Sequence, residues 1–251
     1  MAIYVVSDVH GYYDVFLKGL EVIDLKSTDM LYMVGDAIDR GPDGIEILKY
    51  IKNHRNMDLI IGNHEFMMLN SVDPSGKKIC EGDDAKLWLV YNGGKATYTK
   101  YCEMLTASRI DLLEWLRNRL VIKTLEHKGK KFCLTHSYYM PDCENKTYSE
   151  LSYDDVWEIV WKSMYRSADT YCPNIYKDFD CTFITGHVPV QTITKDDEAK
   201  PYVLANFIDI DGGCRAGAKP GLGNGAIFMR LDDMQDFIVP MIVPKQGSIF
   251  F

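Results

Sequence analysis

The sequence predicts an α/β fold with a parallel sheet in its N-terminal part, and three observations carry that prediction. Short apolar runs recur at Ile3 to Val6, Met30 to Val34 and Leu59 to Ile61. Each is followed by a loop bearing Gly or Asp, and the loop by a segment of helical pattern. From Leu120 onward the chain turns strand-rich instead. Strands that alternate with helices are the mark of parallel pairing, because parallel neighbours need a crossover connection.

The elements follow in order. Asp14 to Ile23 gathers Val15, Phe16, Gly19, Leu20 and Ile23 on one helical face, and Asp43 to Ile51 does so with Ile47, Leu48 and Ile51. Residues 83 to 119 read as a helical excursion. Asp83 is expected to N-cap a helix ending at Gly93-Gly94, and Ser108 with Asp111 forms a capping-box pattern before Leu112, Leu113 and Leu116. Strands are expected at 120–125, 131–135, 181–185, 206–211, 226–231 and 237–243. They are interrupted by a helix over 153–166 whose Trp157 and Trp161, one turn apart, read as core or loop packing. No repeat, low-complexity run or linker divides the 251 residues, so one domain over 1–251 is expected.

Composition narrows the class. A hydrophobic fraction of 47% suffices for a substantial core. With 28 Lys and Arg against 36 Asp and Glu, the net charge of −8 leaves no basic stripe for a phosphate backbone, so nucleic acid is not expected as a partner. Seven scattered cysteines without a CxxC pair, and no leader-like start, point to a reducing cytoplasm. The run Phe237 to Val243 is too short to span a membrane and contains Pro240. Oligomeric state is not encoded in any pattern of the sequence.

The chemistry sits at the strand ends. The first strand runs into Ser7-Asp8-Val9-His10-Gly11, the second into Gly35-Asp36-Ala37-Ile38-Asp39-Arg40-Gly41, and the third into Gly62-Asn63-His64-Glu65. The carboxyl edge of an open α/β sheet is where ligand sites form, and three adjacent strands deliver these clusters to one place. Asp8 and His10, two apart on an extended segment, can face the same side. Asp36 has two oxygens with which to bridge two cations, and Asn63 offers a neutral carbonyl oxygen. Two later strands end in His136 and His187. Oxygen and nitrogen ligands without thiolate suit Mn, Fe or Zn. Each motif alone is a plausible turn or helix cap; their co-occurrence at strand ends is not.

These blocks resemble the phosphoprotein phosphatase branch of the calcineurin-like metallophosphoesterases, especially its phage and bacterial members. The resemblance extends through Asn92-Gly93-Gly94, His136 and Gly186-His187-Val188-Pro189 to the Asp209 to Gly213 segment. It implies a fold of two mixed β-sheets in a sandwich flanked by helices. It also implies two divalent cations, Mn2+ foremost, with Fe or Zn as alternatives. Asp8, His10 and Asp36 would hold the first, and Asp36, Asn63, His136 and His187 the second. His64 matches the family's general acid, Asp39 its orienting carboxylate and Arg40 a phosphate-binding arginine. The implied reaction is hydrolysis of a phosphoester by water activated between the metals, on a phosphoprotein or a phosphorylated small molecule.

Two positions depart from the family's protein phosphatases. Ile61 stands where an arginine usually precedes Gly-Asn-His-Glu, and Lys162-Ser163 where a second arginine follows the helix tryptophan. Arg166 and Arg215 are candidates to substitute. The alternatives are a hydrolase of nucleotides or diadenosine tetraphosphate, against which Asp39 and Glu65 speak, and an inactive scaffold, which should have lost ligands. Gly221-x-Gly223-x-Gly225 reads as a turn, His54 and His127 as exposed, and the thiols as inert.

Overall fold

The structure is a computed structural model that describes residues 1–76, 82–163, 178–215 and 223–241. In chain order the first half contains β1 (Ile3–Val6), α1 (Tyr13–Val22), β2 (Met30–Val34), α2 (Gly44–Asn53), β3 (Met57–Ile60) and α3 (Asn63–Ser71). The excursion follows as α4 (Asp83–Lys86), a π-helical turn (Leu87–Tyr91), α5 (Lys95–Glu103) and α6 (Thr106–Arg117). The second half contains β4 (Ile122–His127), β5 (Lys130–Thr135), α7 (Tyr153–Trp161), β6 (Thr182–Thr185), α8 (Val190–Thr194), β7 (Tyr202–Leu204), β8 (Phe207–Asp209), β9 (Gly225–Arg230) and β10 (Gln235–Pro240).

Two five-stranded sheets result, in the orders β10-β9-β1-β2-β3 and β4-β5-β6-β8-β7. Both are mixed. β1, β2 and β3 pair in parallel while β9 runs antiparallel to β1 and to β10. In the second sheet β5, β6 and β8 are parallel, edged by antiparallel β4 and β7. The expected two-sheet sandwich is therefore present, and β1, β2 and β3 are neighbours as the motifs required.

Alternation along β1 explains the layering. Ile3 and Val5 join Val34, Ile60, Phe132, Leu134 and Ile184 in a core between the sheets, whereas Tyr4 and Val6 pack with α1 and α2 residues such as Phe16 and Leu48. Both faces of the strand are covered, so it reads as a continuous apolar run. Each such fully buried aliphatic side chain contributes about 1.5–3 kcal/mol of transfer free energy.

Several local expectations need correction. Gly82, not Asp83, is the N-cap of α4, and α6 starts from Leu105, so Ser108 lies inside the helix and caps nothing. The short strand β7 was not expected. Trp157 is not a core residue: its side chain is 43% exposed. Trp161 is half-buried and turns its ring edge-on to His187, with centroids 6.0 Å apart. His54 is half-buried and stacks on Tyr50, and His127 is half-buried with Nε2 3.1 Å from Asp232. Cys133, Cys143 and Cys214 are buried but Cys102 is exposed. Gly223 forms a bend before β9; Gly221, Cys80, Cys172 and Arg166 lie outside the described residues. Among the described residues no helix is long and apolar enough to cross a membrane.

Candidate metal centre

The polar clusters meet at the carboxyl ends of β1, β2, β3, β5 and β6, and the backbone there is unusual. Asp8 and His10 do not lie on an extended segment; their φ values are 53° and 48°. Asp36, Asp39, Arg40 and His187 are also left-handed, so six of the twelve non-glycine residues with positive φ among the described residues belong to this site. Asp and His tolerate this region better than most residues, yet each such residue costs on the order of 1–3 kcal/mol unless its surroundings hold it. The tight reversals after each strand bring side chains together that an extended course would spread along a line.

Glu65 supplies much of that hold. Its carboxylate, wholly buried, accepts from the amides of Asp36 (2.9 Å), Ala37 (2.9 Å) and Gly62 (3.1 Å), tying the loop after β2 to the loop after β3. Asp8 is held on one side only. Its Oδ2 accepts from the Ser7 hydroxyl and from the His187 amide (3.0 Å), while Oδ1 is buried without a hydrogen-bond partner.

The histidine tautomers follow from their backbone contacts. His10 Nδ1 lies 3.1 Å from the Ile38 carbonyl and His136 Nδ1 lies 3.0 Å from the Val34 carbonyl, so both nitrogens donate. Each ring then turns a bare Nε2 inward, the pattern found around metal-ligating histidines. His10 Nε2 faces Asp8 Oδ1 at 3.7 Å and Asp36 Oδ2 at 3.6 Å. His136 Nε2 faces Asp36 Oδ1 at 3.4 Å and the Asn63 side-chain oxygen at 2.9 Å, and His187 Nδ1 reaches that same oxygen at 3.2 Å.

Lone pairs thus face lone pairs. Rotating the Asn63 amide would place its nitrogen before four acceptors, the two imidazoles and both oxygens of Asp36, but an amide has only two hydrogens. A cation among these atoms satisfies all of them with the oxygen where it stands. The donor set therefore fits metal ions, and the groups Asp8, Asp36, His136 and His10, Asp36, His64 each present ligand atoms within 4.8 Å of one another.

Burial acts on the carboxyls here. It pushes the carboxyls of Asp8, Asp36 and Glu65 up to about 7, and Asp39 likewise, the last opposed by the neighbouring Thr97 and Trp88 side chains. Asp209 and Asp211, wholly buried behind the cluster, are driven well above the usual carboxylate range. His10 is held well below the ordinary imidazole value by burial and then by the Arg40 charge. A concentration of desolvated acids with inward-facing imidazoles is stabilised by cations.

Beside the ligand cluster, His64 Nδ1 donates to Asp39 Oδ2 at 2.6 Å, and its Nε2 lies 3.4 Å from an Arg40 guanidinium nitrogen and 3.7 Å from Asp36 Oδ2. Arg40 only donates, so Nε2 carries the lone pair. Burial draws this imidazole down to about 4, with Asp36 raising it and Arg40 lowering it further. The nine residues singled out from the sequence for metal or catalytic roles thus lie together, seven of them buried, His187 half-buried and Arg40 exposed. Ile61, at the position of a missing arginine, is wholly buried in the core. Arg215 is exposed.

Residues 1–212 match the family model described as calcineurin-like phosphoesterase. The chain belongs to the calcineurin-like phosphoesterase family, and is a phosphoester hydrolase. It is 31% identical over 214 residues to serine/threonine-protein phosphatase 2 of Salmonella typhimurium, covering 84% of this chain and 87% of that one. It is 30% identical to the symmetrical bis(5'-nucleosyl)-tetraphosphatase of Salmonella paratyphi A over 61% of this chain, a match that spans only 49% of the relative. A serine/threonine phosphatase structure from Saccharomyces cerevisiae superimposes with a TM-score of 0.55 at 15% identity, covering 98% of this chain and 82% of that one. That likeness concerns the fold.

For this calcineurin-like phosphoesterase, sequence reasoning missed the residues that support the cluster. Ser7, Glu65 as a backbone anchor, Trp88 and Thr97 were not singled out for these contacts. The third helical position of Glu65 after Gly62 is an N-terminal capping signal that could have marked it.

Proposed function

We propose that this hydrolase removes phosphate from phosphoserine and phosphothreonine in proteins, with phosphotyrosine as a further substrate, and that it does so with two divalent cations. Asp8, His10 and Asp36 would hold one and Asp36, Asn63, His136 and His187 the other; the mixed oxygen and nitrogen set without thiolate suits Mn2+, with Fe or Zn as alternatives. When bound, the pair supplies a nucleophile from water and neutralises charge on the phosphoryl oxygens.

The observation that carries the substrate reading is the His64–Asp39 pair at 2.6 Å. Serine and threonine alkoxides are strongly basic leaving groups and depart poorly without a proton, whereas a nucleotide phosphate is a weakly basic one and needs little help. A buried, oriented imidazole beside the cluster is therefore an investment suited to alkoxide departure. Asp39 fixes the proton on Nδ1 and leaves Nε2 toward the substrate side. The negative charge of a bound phosphoryl group favours protonation at Nε2, against the effect of burial. Arg40, whose guanidinium adjoins Nε2, can bind two phosphoryl oxygens at once.

Hydrolysis of dinucleoside polyphosphates is the second reading. It is favoured by the wholly buried Ile61, which removes one phosphate-clamping position, and by the tetraphosphatase named among the relatives. Mn-loaded protein assayed side by side on phosphopeptides and on dinucleoside polyphosphates separates the two. A kcat/KM at least about tenfold higher on the phosphopeptides is expected; the reverse order would transfer the chain to the second class.

A further inference from the structure

The excursion between β3 and β4 contributes none of the nine residues assigned above, yet it grips two of them. The indole N–H of Trp88 donates to Asp39 Oδ2 at 2.8 Å, the same oxygen that accepts from His64 Nδ1. The Asp39 amide donates to the Thr97 hydroxyl at 3.0 Å, and the Arg40 amide to the Gly93 carbonyl at 3.3 Å. Trp88, Thr97, Asp39 and His64 are all wholly buried. Three contacts from one insertion thus converge on two consecutive residues.

Those two residues are the ones that need holding. Asp39 and Arg40 have φ of 71° and 62°, and successive left-handed residues are unfavourable without fixed partners. Asp39 Oδ1 is buried with no hydrogen-bond partner, so the direction of the carboxylate rests on the two donors at Oδ2. A carboxylate turns easily about its last side-chain bond. With the His64 donor alone, the pair could turn together; the indole supplies a second, rigid direction.

The insertion is shaped for this. Trp88 lies on the π-helical turn Leu87–Tyr91, a rare geometry often found at functional sites. A Cβ on Gly94 would come within 2.5 Å of the Trp88 indole nitrogen, and one on Gly93 within 3.2 Å of the Arg40 amide. Both glycines let the loop lie flush against the residues it holds.

We propose that Trp88 is a positioning residue for the reaction: its indole N–H fixes the Asp39 carboxylate, and through it the direction in which His64 presents Nε2 to the departing oxygen. Thr97 and Gly93 complete the clamp by holding the backbone of Asp39 and Arg40. The inference rests on the reading of His64 as the proton donor.

Trp88→Phe removes the donor and keeps the aromatic bulk. Its kcat/KM on a phosphoserine peptide should fall about five- to tenfold, against less than about twofold on nitrophenyl phosphate, with bound metal unchanged. In a His64→Asn background the same substitution should cause no further loss on either substrate. Equal losses on both substrates, or a full additional loss on top of His64→Asn, would overturn the positioning role, because damaged packing harms both reactions alike. The His64→Asn control separates the two claims. If it spares nitrophenyl phosphate while Trp88→Phe does not, only the Trp88 role fails; if it harms both substrates equally, the proton-donor reading fails and takes the Trp88 role with it. Should Trp88→Phe fold poorly, Gly94→Ala, whose Cβ forces the indole to shift while keeping the tryptophan, is subject to the same expectations.

Discussion

His64 and Asp39 form a hydrogen bond of 2.6 Å in which neither side chain is exposed. Its two ends come from the loop after β2 and from the first turn of α3 after β3, which Glu65 ties together through the amides of Asp36, Ala37 and Gly62. The pair is thus built into the same backbone framework that carries Asp36 and Asn63.

From this pair follows a leaving-group test. General-acid help matters most for a strongly basic alkoxide and least for nitrophenolate. His64→Asn should slow phosphoserine peptide hydrolysis by about 100-fold or more and nitrophenyl phosphate hydrolysis by less than about tenfold, at unchanged metal content. Asp39→Asn should show the same pattern more weakly. Equal losses, where chemistry limits both rates, would mean that His64 positions phosphate and donates no proton.

Metal removal tests the cluster itself. Exhaustive chelation should abolish phosphoester hydrolysis and Mn2+ should restore it. Asp36 adjoins His10, His64 and His136 at 3.4–3.7 Å, so Asp36→Asn should disturb both proposed positions together. Protein that is verifiably metal-free and still fully active would refute the assignment.

Arg40 is the phosphate contact to test. Arg40→Ala should lower kcat/KM by about 100-fold while bound metal, read by elemental analysis, stays constant. Wild-type kinetics in that variant would leave the guanidinium a structural role beside His64.

Much of this arrangement was legible in the residues because a parallel sheet converts linear position into spatial position. Asp8, Asp36 and Asn63 each follow an apolar run, and neighbouring parallel strands end on the same edge. What was not legible comes from contacts distant in sequence or from backbone shape. Asp8 and His10 were expected on an extended segment, but both are left-handed, a conformation that side-chain periodicity cannot report. Trp88 lies 49 residues from Asp39, and nothing in its local pattern distinguishes it from a core tryptophan. The spacing of Trp157 from Trp161 matches a helical face, but spacing alone does not say whether that face meets the core or a loop, and Trp157 is 43% exposed.

Gly186 offers a test of how tightly the second sheet is fitted to the first. It follows β6, and its amide donates to the His136 carbonyl at 2.9 Å, so it sits between two proposed ligands, His136 and His187. A Cβ at this position would fall 2.0 Å from both Asp8 Oδ2 and Ser7 Oγ. Its φ lies outside the left-handed region, so the obstacle to a side chain is these two neighbours and not the backbone. Gly186→Ala should therefore force Asp8 away from the His187 amide, which now holds its Oδ2 at 3.0 Å. Overpacking of this kind costs about 1–3 kcal/mol in stability. The larger effect should be on metal, with the Asp8 position losing affinity by about tenfold or more, as for other disturbances of ligand support. Adding Ser7→Gly removes one of the two clashes and should recover part of the lost stability, but it leaves Asp8 Oδ2 obstructed and so should not recover metal binding. Thermal unfolding and metal titration of the single and double variants separate the two effects. If the double variant regained metal along with stability, the clash with Asp8 would not be what excludes a side chain at Gly186.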